Sequence, residues 1–102
     1  MPLKDFKVTF ADELRDPDFT AAYLEAALEE EGVETFLAAL QNVAKANGGM
    51  TNISRAASLS RESMYKALSE QGNPEFRTLN SVLQAFGMRF AVRRSEIPTT
   101  AH

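Results

Sequence analysis

The stretch TNISRAASLSRESMYKALS, Thr51 to Ser69, decides the fold. It reads as two short helical segments, about Thr51–Ala57 and Arg61–Ser69, with Ser58-Leu59-Ser60 between them. Two short helices joined by a turn of three or four residues make a helix-turn-helix. The residues meet its packing demands. Ile53 and Ala57 on the first helix face inward, Leu59 plugs the corner, and Met64, Ala67 and Leu68 on the second helix close the same core. The small side chains of Ala57 and Ala67 let the two helices approach closely. Ser60 is a good N-cap and fixes where the second helix begins.

The other side of that second helix carries Arg61, Glu62, Tyr65, Lys66 and Ser69, at i, i+1, i+4, i+5 and i+8, which is a single stripe. Arginine and lysine donate to guanine or to phosphate, glutamate accepts from cytosine, and tyrosine donates to phosphate or touches a thymine methyl. The competing reading is an ordinary solvated helix face, and from spacing alone the two are close. The turn and the helix that follows favour DNA.

Working outward, FKVTF at residues 6–10 alternates apolar and polar β-formers and is expected to be a short strand. Asp16 followed by Pro17 is a helix start, and that helix is expected to run to about Glu31 and stop at Gly32. From Val33 to Asn47, residues Val33, Phe36, Leu37, Leu40, Val43, Ala44 and Asn47 keep a helical period, which predicts a central core helix. Gly72-Asn73-Pro74 is a loop. A further helix, from Glu75 or Phe76 to Phe86, carries Phe76, Leu79, Val82, Leu83 and Phe86 on one side. Met88, Phe90 and Val92 alternate with Arg89, Ala91 and Arg93, the pattern of a second strand. The expectation is a mainly α, five-helix domain over residues 1–94 with short N- and C-terminal strands, and a disordered tail over 95–102.

Composition bounds the chemistry. The chain has 102 residues, no cysteine and a net charge of −3. Disulfides, thiolate metal sites and cysteine nucleophiles are therefore excluded. The one histidine is His102, the last residue. Neither a GxxxxGK[ST] phosphate loop nor a GxSxG elbow is present. Asp12, Glu13, Asp16 and Asp18 lack the spacing of a calcium loop. The reading is a protein that is not an enzyme, with no metal and no cofactor. No apolar run approaches the roughly 20 residues of a membrane span, and MPLKDFKVTF lacks the apolar core of a signal peptide. The expected location is cytoplasmic.

The charge is unevenly placed. Residues 1–34 hold ten acids against three bases, a balance of −7, whereas residues 35–102 stand at +4. Such asymmetry suggests two surfaces with different partners, although Glu29-Glu30-Glu31 reads equally well as a solvated helix end.

Several motifs in order carry a resemblance. LSRESMYKALSEQGNPEF (Leu59–Phe76) and LQAFGMRFAV (Leu83–Val92) are the most specific pieces, preceded by AAYLEAALEE and FLAALQNVAKANGGM. Over about residues 6–93 the chain resembles the addiction-module antidote proteins, HigA-like antitoxins of type II toxin–antitoxin operons with a λ-repressor-like (XRE) helix-turn-helix. The resemblance implies a homodimer that binds double-stranded operator DNA, represses its own operon and neutralises a basic RelE/HigB-like toxin, a ribosome-dependent mRNA endonuclease. By motif position, Thr51 and Asn52 open the first helix and are placed to contact phosphate, and Arg61, Glu62, Tyr65 and Lys66 match the base-reading stripe; Ser60, from its N-cap position, and Ser69, from the helical spacing, complete the candidate DNA-binding residues. One departure is Ser58, at a turn position often taken by glycine. With φ > 0 there, serine costs strain of about 1 kcal/mol.

The acidic half suits a basic toxin, with Glu25, Glu29, Glu30, Glu31 and Glu34 as candidate contacts. Met88, Phe90 and Val92 are too apolar for an exposed edge. That segment is expected to pair with Lys7–Phe10, within one chain or across a dimer, or simply to close the monomer core. The alternative function is a stand-alone helix-turn-helix regulator without a toxin.

Overall fold

The computed structural model describes residues 12–69 and 71–96. Its first element is a 3₁₀ turn at Glu13–Arg15 that buries Leu14. Helix α1 follows at Pro17–Glu31. The Asp16 carboxylate caps it by accepting the Asp18 N–H at 3.3 Å, and Pro17 supplies a helical φ at the first position. The chain leaves α1 through Gly32 at φ 93 and enters α2, Val33–Ala46, without a loop. Both ends of α1 thus fall where the sequence placed them.

Helix α2 is the centre of the core. Phe36, Leu37, Leu40, Val43 and Ala44 are buried, and so is Ala39 beside them. Val33, in the helix's first turn, remains 57% exposed. Asn47 serves a different purpose from the apolar stripe it continues. Its amide donates to the carbonyls of Leu14 at 2.9 Å and Val43 at 2.8 Å, and Arg15 Nε donates to the Ala46 carbonyl at 3.1 Å. These bonds satisfy carbonyls in the last turn of α2, which have no partner inside the helix, and tie the 3₁₀ turn against it.

Three short helices complete the fold: α3 at Met50–Ala56, α4 at Arg61–Ala67 and α5 at Phe76–Ala85. Helix α1 lies along α2, while α3 touches α2, α4 and α5. The expected inward residues Ile53, Ala57, Met64, Ala67 and Leu68 are all buried, and Leu59 packs partly buried against them. Helix α4 ends two residues before the expected Ser69. Gly72 folds back on that end so tightly that a Cβ would come within 2.8 Å of the Lys66 and Ala67 carbonyls. Only glycine permits this approach.

The expected C-terminal strand is not formed. Residues 88–95 have no regular structure, and there is no strand among the described residues. The expected N-terminal strand at residues 6–10, and the Lys7–Phe10 pairing partner, lie outside the described residues, as does the tail from residue 97 onward. The alternation over Met88–Val92 reports side-chain packing instead of a ladder. Met88 and Phe90 are partly buried against the core. The Phe90 ring sits between Phe36, at a centroid distance of 6.4 Å, and Phe76, at 5.0 Å. Val92 is 98% exposed, and Phe76, expected on the buried side of the last helix, is 66% exposed and in ring contact with Phe90.

Candidate nucleic-acid interface

The corner between α3 and α4 is built by backbone geometry. After Ala56 the N–H of Ser58 donates to the Arg55 carbonyl at 3.1 Å and the N–H of Leu59 to the Ser54 carbonyl at 2.8 Å. This is the paired closure that ends many helices, and it requires a left-handed residue just past the cap. Ser58 fills that position with φ 59. The chain thereby turns, Leu59 drops onto the core, and Ser60 resumes an extended conformation at φ −70, ψ 154.

Ser60 then starts α4. Its Oγ accepts the Ser63 N–H at 3.0 Å and donates to the Ser63 hydroxyl at 2.8 Å. Met64, Ala67 and Leu68 pin one side of α4 to the core, which turns Arg61, Glu62, Tyr65 and Lys66 to solvent. The Arg61 guanidinium lies 5.5 Å from the centre of the Tyr65 ring, an attractive cation–π arrangement. Arg61, Glu62 and Lys66 take part in no ion pair among the described residues.

The other expected DNA contacts are placed less uniformly. Thr51 and Asn52 are exposed in the first turn of α3, with the Asn52 side chain lying against Gly48. Ser69, two residues past the end of α4, is half-buried, and its hydroxyl donates back to the Lys66 carbonyl at 3.1 Å. Two residues escaped the sequence reading. Arg55 is exposed on α3, and a census of basic residues across the two short helices finds it. Gln41, from α2, donates its side-chain amide to the Leu68 carbonyl at the end of α4. A polar residue beside an apolar stripe gives no such signal in sequence.

The acidic residues do not form one patch. Glu25 is bound to Arg93 at 2.8 Å, both side chains being more than half exposed, and it lines a groove of about 210 Å³ between α1 and residues 88–93. Glu30 and Glu31 line a separate groove, and Glu29 and Glu34 are exposed nearby in sequence. Tyr23, on the inward side of α1, accepts the Asn42 amide at 3.0 Å, and burial pushes its pKa up against the opposing effect of that bond. The expected dimer residues also divide: Met88 and Phe90 contribute to the monomer core, and Val92 does not. Among the described residues no helix is long and apolar enough to cross a membrane.

Comparison with known proteins adds what geometry alone does not. A protein of Haemophilus influenzae (strain Rd), described only as uncharacterized, is 42% identical over 93 residues, covering 91% of this chain and 93% of its own. No solved structure matches significantly. The family model of probable addiction module antidote proteins matches residues 3–94, and the chain belongs to that family.

Proposed function

We propose that the protein is the antitoxin of a type II toxin–antitoxin module, acting in the cytoplasm as a homodimer that binds operator DNA, represses its own operon and neutralises a basic RelE/HigB-like mRNA endonuclease. The family supports the antitoxin role. The observation that carries the DNA-binding part is the corner at Ser58: a helix-turn-helix in which α4 is fixed from below by Met64 and Leu68 and presents Arg61, Glu62, Tyr65 and Lys66 outward. Thr51, Asn52 and Arg55 on α3 are the phosphate contacts that set register.

One such helix touches too few bases for specificity. A two-fold dimer places two of them about 34–36 Å apart on a palindromic site. Phe76, exposed in contact with the Phe90 ring, and the fully exposed Val92 two residues further on favour the C-terminal segment as the dimer face. The toxin contacts lie in the acidic half, with Glu25, Glu29, Glu30, Glu31 and Glu34 as candidates spread over more than one face of α1 and the start of α2.

The decisive experiment is charge reversal of Arg61 and Lys66 together. Operator binding in a mobility shift on the upstream DNA is expected to be lost while toxin capture persists. An unchanged shift sinks the DNA-reading assignment. Neutralising Glu25, Glu29, Glu30 and Glu31 is expected to do the reverse.

A further inference from the structure

Helix α1 has more apolar surface than its packing on α2 consumes. Tyr23, Leu24 and Ala27 face inward and are buried, yet Ala22 and Ala26, one turn apart on another side, are exposed. Together with Phe19 and Tyr23 they line a groove of about 320 Å³ that ends at Glu30 and Glu31. The Phe19 and Tyr23 rings stack in near-parallel planes, 13° apart with centroids 6.5 Å apart. Small side chains on the outside of a helix lower the groove floor and leave room for a large apolar group. The carboxylates at its end fix the sign of charge that would accompany one.

We infer that this groove is where the toxin docks, and that its occupant is an apolar side chain of the toxin flanked by arginine or lysine. The inference rests on the antitoxin reading and narrows it. Of the five acids first considered for toxin contact, Glu25 already holds Arg93 at 2.8 Å in the other groove, on the far side of α1. Glu30 and Glu31 have no ion-pair partner among the described residues and stand at the end of an apolar cleft. Anchor and charge therefore coincide at one place, as they do in protein interfaces where a buried apolar contact supplies affinity and rim charges supply rate and register.

The test uses full-length protein and the purified basic protein encoded by the neighbouring reading frame, with calorimetry or surface plasmon resonance. Ala22→Trp with Ala26→Trp fills the groove from exposed positions and is expected to weaken toxin binding by about 30-fold or more, the loss of a central contact. Glu30→Lys with Glu31→Lys is expected to slow association about tenfold at low salt, with the difference shrinking as salt rises. Both variants keep the wild-type melting temperature and the wild-type mobility shift on operator DNA. Wild-type affinity in the tryptophan variant overturns the groove as the docking site. Failure of the wild-type protein to bind the neighbour's product overturns the antitoxin reading and the groove with it.

Discussion

Ser58 offers a direct measurement of what the α3–α4 corner costs. Its φ of 59 lies in the left-handed region, and the bonds from Ser58 N–H to Arg55 and Leu59 N–H to Ser54 hold it there. Its hydroxyl makes no hydrogen bond among the described residues and the residue is exposed, so replacing the side chain removes no contact. A left-handed L-residue carries a penalty of about 1–2 kcal/mol from its Cβ. Glycine removes that penalty but gains freedom in the unfolded chain worth about 0.5–1 kcal/mol. Ser58→Gly is therefore expected to stabilise the fold by about 0.5–1 kcal/mol, a rise in Tm of about 2–8 °C for a domain of this size. Ser58→Asn is expected to fall between serine and glycine. Ser58→Val is expected to be the least stable of the series, because branching at Cβ is most hindered at positive φ. Thermal melts followed by circular dichroism, at one fixed protein concentration so that dimerisation does not contribute, give the order. If glycine is no more stable than serine, or valine matches it, the corner is not closed by a left-handed residue and the placement of α4 against α3 is wrong.

Three further substitutions probe the support of α4. Ser60→Ala removes the acceptor of the Ser63 N–H and is expected to cost about 1 kcal/mol in urea unfolding, with operator affinity falling because the first turn of α4 frays. Met64 is 0% exposed, so Met64→Ala is expected to cost about 2–5 kcal/mol and to lower both melting temperature and DNA binding. Charge reversal of Arg61 and Lys66, by contrast, changes binding alone. Gln41→Leu takes the donor away from the carbonyl of buried Leu68 and is expected to cost about 1–3 kcal/mol. Its mobility shift should weaken while toxin capture holds.

The helices were legible where periodicity and punctuation agreed. Asp16-Pro17 and Gly32 bracket α1, and the apolar stripe of α2 needs no tertiary information to read. The inward and outward faces of α4 followed from the same rule, since a seven-residue helix with Met64 and Ala67 on one side, and Leu68 at its cap, has only one way to sit. The failures have a common cause. Alternation at Met88–Val92 records which side chains face the core, but a strand also needs a backbone partner, which sequence period does not supply. Asn47 and Gln41 extend or border apolar stripes in the sequence, and their value lies in carbonyls 33 and 27 residues away. The clustering of Glu25 with Glu30 and Glu31 in sequence hid that they lie toward different sides of α1.

A chain of net charge −3 is at first sight a poor ligand for a polyanion. Salt, however, screens each exposed charge beyond about 8 Å at physiological ionic strength, and the molecule is 42 Å along its longest axis, so acids on a distant face count for little. What a phosphate backbone meets at close range is the local surface. On α3 and α4 that surface holds Arg55, Arg61 and Lys66 against the single acid Glu62, whereas the exposed acids Glu25, Glu29, Glu30 and Glu31 belong to α1, which packs on α2. On the proposed function, segregating the charges in this way would let one small fold attract DNA at one face and a cationic protein at another. If the acids were interspersed among the bases, each would cancel the other's local field, and neither partner would be drawn in.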